Sequence, residues 1–167
     1  ANNWDIAKKW DEILKTYDAI IHIPMSSGLS GSCQTAMMIA DEDQYKGKVF
    51  VVDSQRISVT QKADVLDALA MANKGYSAQE IYDYLMNNKM NATIYVTVDT
   101  LEYLKKGGRL SPAAATLAGL LKIKPILTIQ GEKLDKYGTS RTMKKARKMM
   151  IDQVKQDISD RGWGDGL

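Results

Sequence analysis

Residues 19–32 read AIIHIPMSSGLSGS, an apolar run that ends in a loop rich in serine and glycine. We expect a helix over Ser32–Ala40 directly after this loop. A strand that passes through such a loop into a helix N-terminus leaves backbone N–H groups unpaired, and the helix dipole adds positive potential there. The stretch therefore predicts strand–loop–helix architecture with a carboxylate or phosphate site at the loop.

The segments around this loop alternate between helix and strand. A helical apolar pattern precedes it, and the β-branched run 48–52 follows it and ends at Asp53. Two more helices are predicted next, the second of them opened by a capping box of Ser77 and Glu80. Because parallel sheets alternate with helices in this order and bind ligands at strand carboxyl ends, we predict a parallel-sheet α/β domain over residues 1–90.

The character of the sequence changes after this domain. A strand with interleaved threonines leads to a short helix that stops at Lys-Lys-Gly-Gly, residues 105–108. A Ser-Pro pair then opens a helix predicted over residues 111–121, and a hairpin is expected around Gly131 and Glu132. A long basic helix completes the chain. These elements predict a smaller α+β domain over residues 91–167.

The composition excludes several classes of protein. The net charge is only +3, from 23 basic and 20 acidic residues, and aromatic residues make up 7% of the chain. Neither value is typical of a nucleic-acid-binding module, and no apolar run has the length of a membrane span. We therefore expect neither a nucleic-acid partner nor stable membrane insertion.

The few residues that could carry redox or metal chemistry restrict the class of protein further. The chain has one cysteine, Cys33, and one histidine, His22. A single cysteine forms no internal disulfide, which favours a reducing, cytoplasmic location. Since a metal site needs several ligands at suitable spacing, we predict no metal and no cofactor, and we expect Cys33 to be a small buried apolar residue.

Three stretches together resemble the DegV family of bacterial fatty-acid-binding proteins. They are IPMSSGLSG at 23–31, LEYLKKGGRLS at 101–111, and IKPIL at 123–127 with Gly131, Arg141 and Lys144-Lys145-Ala146 further on. The resemblance implies a two-domain α/β protein with one long-chain fatty acid buried between the domains. It also implies delivery of the acyl chain to a partner fatty acid kinase, which forms an acyl phosphate for phospholipid synthesis.

The family normally contains segments that this sequence lacks. An Asp-Ser strand and a Thr-Ser-x-Pro-Ser loop would precede Ala1, and a glycine-rich loop with a ligand-contacting histidine would follow Leu167. The resemblance therefore implies a truncated chain that corresponds to the middle of a family member, with an incomplete pocket.

Ser26, Ser27 and Gly28 are the candidate ligand residues. The serine hydroxyls and the glycine N–H can donate hydrogen bonds to a carboxylate at this turn. Equally, serine and glycine at these positions can serve only as a tight turn and a helix cap. The residues alone leave both interpretations open, and the family resemblance favours the ligand site without distinguishing the two serines.

Three cations are candidates for contact with the kinase. Arg109 and Lys106 flank the Gly107-Gly108 pair, and Arg141 begins the basic run near the C-terminus. The resemblance implies a docking role for Arg109, since the arginine fork suits carboxylate and phosphate groups. The alternative is that all three are solvated charges at helix ends and on a wet helix face.

The sequence predicts a carrier rather than an enzyme. Gly28-Leu29-Ser30-Gly31 differs from the hydrolase elbow because position 32 is serine, and His22 lies in the strand before the loop. The alternative function is a small-molecule phosphotransferase or hydrolase that uses the same anion-binding loop. Two further alternatives are a nucleic-acid module built on the basic helix and a fragment that folds without binding a ligand.

Overall fold

A computed structural model describes residues 3–120, 122–129 and 131–163. The elements, in chain order, are α1 (Asn3–Ile13), β1 (Ile20–His22), α2 (Ser32–Ala40), β2 (Val49–Val51), α3 (Ser58–Asn73), α4 (Ala78–Asn87), β3 (Tyr95–Thr97), α5 (Glu102–Lys106), α6 (Pro112–Ala115), β4 (Lys124–Ile129), β5 (Leu134–Ser140) and α7 (Met143–Asp160).

The chain separates into two compact units. The first extends to Thr93 and also takes in the turn residues Gly131 and Glu132. The second contains Ile94–Ile129 and the chain from Lys133 onward. The turn of the β4–β5 hairpin is thus assigned by its contacts to the first unit, although it is distant in sequence.

The first unit is built on a parallel pair of strands. Ile20 of β1 lies opposite Val49 of β2, and His22 lies opposite Val51. Side chains alternate between the faces of a strand, so each strand supplies residues to two separate clusters. This is the arrangement that fully apolar parallel strands require, with helices covering both faces.

Each face of this sheet has its own core. On one face, Trp10 of α1 and Ala36 of α2 pack with Ile20, Val49 and Val51. The other face is covered by α3 and α4, whose buried residues cluster with Val52 and the partly buried Ile21 and Ile23; these helix residues are Ala68, Ile81 and Leu85. The two clusters make the first unit a helix–sheet–helix sandwich.

The second unit is built on an antiparallel sheet in the order β3-β4-β5. Helix α7 packs against it, with Ala146 fully buried. Two tyrosines of the sheet fix this helix: the Tyr95 hydroxyl donates to Asp157 at 2.7 Å, and the Tyr137 hydroxyl donates to Gln153 at 2.6 Å. The helix therefore rests on the sheet through both apolar contacts and specific hydrogen bonds.

The predicted fold class is confirmed. A parallel α/β region is followed by an antiparallel α+β region, as the order of patterns predicts. Helix α2 has the predicted limits, and the hairpin forms around the predicted turn. The helix expected over residues 111–121 is shorter than predicted, since α6 ends at Ala115 and Gly119 adopts a φ of +112°; residue 121 lies outside the described residues.

Candidate functional site

The serine-glycine loop lies at the carboxyl ends of both parallel strands. It connects β1 to α2 and is bonded to the segment that leaves β2. The Ser26 N–H donates to the Arg56 carbonyl oxygen at 3.0 Å, and the Ser27 N–H donates to Asp53 Oδ1 at 3.1 Å. Two consecutive amides of the loop are therefore held by one neighbouring segment.

Ser26 is completely buried, and its polar groups are bonded within the protein. Its hydroxyl donates to the carbonyl oxygen of Glu132 at 2.6 Å. Its own carbonyl oxygen accepts the N–H groups of Leu29 and Ser30 at 2.9 and 3.1 Å, which closes a tight turn. In this structure Ser26 shapes the loop.

Gly28 lies directly against the backbone of Glu132. A Cβ at position 28 would lie 2.5 Å from the Glu132 carbonyl oxygen and 2.6 Å from its Cβ. Real Cβ atoms essentially never approach other atoms so closely, so only glycine fits without movement of residue 132. The glycine at this position is required by a close approach between two backbone segments.

Ser27 presents a hydroxyl that no described residue bonds. It is half-buried, its N–H is held by Asp53, and its carbonyl oxygen accepts from Gln34 Nε2 at 3.2 Å. Within the described part of the chain, the neighbouring Gly28 N–H also has no acceptor. A fixed backbone with a hydroxyl and an amide left to donate can bind one oxygen anion.

The N-terminus of α2 adds positive potential to this position. Its N-cap residue, Gly31, has no side chain to cap the helix, and the first turn contains no acidic residue. Ser30 meets one N–H of the helix, since its Oγ accepts from the Ser32 N–H at 3.2 Å. Ser30 is thus the serine of this loop that caps the helix. The Ser27 hydroxyl is left to bind a ligand.

The thiol of Cys33 lies in the first turn of α2 and is affected by the negative charge of Asp53. Burial, together with the smaller effect of the Asp53 charge, raises the pKa of Cys33 to about 11. The dipole of α2 therefore does not activate this thiol, because burial dominates. Cys33 is fully buried, which confirms the expectation of a small apolar residue at this position.

A buried ion pair beneath the loop is a feature that sequence reasoning missed. Arg56 Nη1 donates to Asp64 Oδ1 at 2.5 Å, and the Ser54 hydroxyl donates to Asp64 Oδ2 at 2.5 Å. Burial raises the pKa of Asp64, while Ser54 and Arg56 act in the opposite direction. One signal was available: Asp64 precedes Ala68 by four residues and so shares its buried helix face.

The structure does not bring the three candidate docking cations together. Lys106 forms an exposed ion pair with Glu102 at 2.6 Å, and the Arg109 side chain lies over Gly107. The Arg109 carbonyl oxygen accepts the N–H of the first residue of β5, Leu134. Arg141 follows the last residue of that strand. A strand of seven residues separates these ends by roughly 20 Å.

The second unit contains a cavity of about 510 Å³. Leu101, Leu117 and Ile123 supply apolar wall, and Lys105 and Lys122 line it as well. Its volume falls in the range typical of small-molecule sites. An apolar wall with lysines beside it suits an amphipathic anion.

Among the described residues, the contacts of Ser30 include no general base. Its hydroxyl lies 3.0 Å from the Ser32 hydroxyl, and His22 instead packs its ring edge-on against Trp10, with 5.4 Å between ring centroids. Burial lowers the pKa of His22. The hydrolase alternative therefore gains no support from this loop.

The described residues contain neither a metal-binding cluster nor a membrane-spanning helix. Among residues 3–120, 122–129 and 131–163, no group of three or more histidine, cysteine, aspartate or glutamate side chains is arranged to hold a metal ion. None of the helices in that part of the chain combines the length and apolar character needed to cross a membrane.

Comparison with known proteins identifies the family to which the chain belongs. The family described as "Uncharacterised protein, DegV family" matches residues 4–163, so the chain belongs to the DegV family. A DegV domain-containing protein of Deinococcus radiodurans is 32% identical over 158 residues, covering 95% of this chain and 56% of that protein. The chain spans little more than half the length of such relatives.

Solved structures show the same fold. A DegV family protein from Thermus thermophilus, described as fatty acid binding, aligns with a TM-score of 0.80 and 31% identity, covering 99% of this chain and 56% of that one. DegV from Bacillus subtilis, described as a fatty acid binding protein, aligns at 0.78 and 31%, covering 95% and 56%. Fatty acid binding is thus described for members of the family to which this chain belongs.

Proposed function

We propose that this chain binds a long-chain fatty acid, with the carboxylate at Ser27 and Gly28, and serves as a carrier rather than an enzyme. One observation carries this proposal: a Ser27 hydroxyl without a partner among the described residues lies in the loop that leads into α2, whose N-cap residue, Gly31, has no side chain. Family membership and the fatty-acid-binding relatives support it.

The head group is assigned to two donors. The Ser27 hydroxyl and the Gly28 N–H donate to the carboxylate, and the α2 dipole favours its negative charge. Ser26 acts indirectly, since its hydroxyl is bonded to Glu132 and its amide to Arg56. Of the three residues predicted from the sequence, two contact the ligand in this proposal and one shapes the loop.

The acyl chain supplies most of the binding free energy. Each buried methylene contributes about 0.8 kcal/mol, so a long chain gains on the order of ten kcal/mol before the costs of ordering. A carrier therefore needs few polar contacts. The path of the acyl chain between two domains stays a prediction from the family resemblance, and cytoplasmic location stays a prediction from the single cysteine.

We further propose that the bound acid is presented to a fatty acid kinase for acyl phosphate formation in phospholipid synthesis. Arg109 and Lys106, close together in sequence beside the Gly107-Gly108 pair, are the proposed contacts, and Arg141 is a separate one. Phosphoryl transfer would use the kinase's nucleotide and metal, because this sequence has no Walker A loop.

Mass spectrometry of a solvent extract from the purified protein tests the binding proposal. We expect a fatty acid at one equivalent, or stoichiometric uptake of oleate on incubation. Ser27→Ala should lower oleate affinity about tenfold, the loss of one charge-assisted hydrogen bond. Ser159→Ala, at the far end of α7, is the matched control and should bind like the wild type.

The outcomes separate the alternatives. A wild-type protein that carries no fatty acid and takes up no oleate contradicts the proposal. If the Ser27→Ala variant binds oleate with the same affinity as the wild type, the head group binds at another position. For the kinase step, the Arg109→Ala variant should still bind oleate but should no longer support acyl phosphate formation by a fatty acid kinase with ATP. An unchanged rate of acyl phosphate formation would show that Arg109 is not a kinase contact.

A further inference from the structure

Arg56 lies in the segment between β2 and α3, and its side chain is held at two points. Nη1 donates to Asp64 at 2.5 Å, and Nη2 donates to the carbonyl oxygen of Asn88 at 2.6 Å. Arg56 is 8% exposed and Asp64 1%. The guanidinium thus ties the segment to α3 on one side and to the end of α4 on the other.

The backbone around Arg56 adopts conformations that L-residues avoid. Gln55 has a φ of 58° and Ser58 a φ of 56°, both in the left-handed region. Residues of this kind persist only where surrounding contacts enforce them, and they gather at functional sites. The two bonds of the Arg56 side chain lie between these positions and are contacts able to enforce them.

The same segment holds the proposed ligand loop. The carbonyl oxygen of Arg56 accepts the Ser26 N–H at 3.0 Å, and Asp53 accepts the Ser27 N–H at 3.1 Å. Any rotation of the segment would move both acceptors. The position of the Ser26–Ser27 backbone therefore depends on the segment that the Arg56 side chain anchors.

We infer that Arg56, anchored by Asp64, is the positioning residue of the Ser26–Ser27 loop and acts through its own carbonyl oxygen. The effect on ligand affinity rests on the proposed function. The effect on hydrogen exchange at the loop amides is independent of that function.

Stability alone is a weak reason for this ion pair. Replacing a buried pair with apolar side chains of similar volume is often neutral or stabilising, because desolvation offsets the attraction. Arg56 Nε is also buried without a partner in the described residues, which adds a cost. An arrangement with these costs is better explained by the geometry that it fixes.

The test uses the double variant Arg56→Met with Asp64→Leu, which removes both charges together. The control, Lys9→Met with Glu12→Leu, removes an exposed ion pair from α1 of the same unit. Amide hydrogen exchange is followed at Ser26 and Ser27 and, for the sheet, at Val52, whose N–H donates to the His22 carbonyl oxygen. Oleate affinity is measured in parallel.

We expect exchange at Ser26 and Ser27 to quicken at least tenfold in the double variant, with Val52 unchanged and oleate affinity reduced about tenfold. The control variant should match the wild type. Unchanged exchange at the two serines overturns the inference, and so does equal acceleration at Val52, which would indicate a general structural role.

A second variant keeps the test decisive if the double variant does not fold. Arg56→Lys retains the charge beside Asp64, but one ammonium lacks the fork that reaches Asp64 and the Asn88 carbonyl together. Its serine amides should exchange faster than in the wild type; wild-type rates overturn the inference. If the wild type binds no oleate, the proposed function fails, and the exchange data still decide the role of Arg56.

Discussion

The hydroxyl of Ser26 donates a hydrogen bond of 2.6 Å to the main-chain carbonyl oxygen of Glu132, 106 residues further along the chain. Both residues belong to the first unit. The bond satisfies a completely buried hydroxyl, which would otherwise carry the full cost of desolvation. The first serine of the pair is therefore a structural residue in this conformation, and the second is left to donate.

Gly28→Ala should destabilise the protein. The new methyl group would lie 2.5 Å from the Glu132 carbonyl oxygen, and relieving such overpacking costs about 1–3 kcal/mol. Urea denaturation measures the change in the free energy of unfolding. Gly31→Ala is the matched control, since nothing lies within 4 Å of its Cβ position. Equal stability of the two variants would contradict the close approach at Gly28.

Cys33 should resist thiol reagents in the folded protein. Burial raises its pKa to about 11, so the thiolate is scarce at pH 8, and the side chain is inaccessible. Labelling with iodoacetamide, followed by mass spectrometry, should be slow in buffer and fast in urea. A Cys33→Ala, Ser159→Cys protein supplies the exposed comparison. Rapid labelling of the native wild type would show that α2 opens readily.

Alkaline pH should destabilise the first unit through Tyr45. Burial, followed by its hydrogen bond to Asp11, raises the pKa of Tyr45 to about 12 from an ordinary 10.0. Its contribution to stability is fully present below pH 10 and is lost as the pH rises toward 12, because the unfolded state ionises first. Denaturation midpoints between pH 9 and pH 12 measure the loss, which should shrink in Tyr45→Phe.

Ser77→Ala should weaken α4 by about 1 kcal/mol, the usual value of an N-cap. The Ser77 Oγ accepts the Glu80 N–H, and the Glu80 carboxylate accepts the Ser77 N–H and hydroxyl. These bonds lower the pKa of Glu80, so their contribution is present above pH 4.5 and is lost as the pH falls through the folded-state pKa.

Urea denaturation at neutral and acidic pH checks this cap. Glu80→Gln should remove part of the acid dependence, whereas Asp83→Asn, in the same helix but outside the cap, should leave it intact. The same acid dependence in both variants would show that the cap does not govern it.

Features fixed by neighbouring residues were predictable from the sequence. The capping box of Ser77 and Glu80 is local, so the start of α4 follows from a few residues. The alternation of strands and helices likewise predicts a parallel sheet, because two buried faces require fully apolar strands. The position of the serine-glycine loop at the strand ends follows from this order.

Burial of individual helix faces was less predictable. Val59, Leu66 and Leu69 outline the apolar pattern of α3, yet they are exposed, and Asp64 and Ala68 are its buried residues. Tyr84, which has helical spacing to the buried Ile81 and adjoins the buried Leu85, is 42% exposed. Periodicity gives the helix but not which stripe meets a neighbour, since that depends on how the helix is rotated against the sheet.

The sequence by itself determined the elements, their order and the loop that holds the candidate ligand residues. Only the tertiary structure decided which hydrogen bonds the two serines of that loop form. Ser26 and Ser27 are identical residues in adjacent positions, and they differ because Glu132 and Arg56, distant in the chain, reach one and not the other. Hydrogen bonds between distant segments depend on packing geometry, which local propensities do not encode.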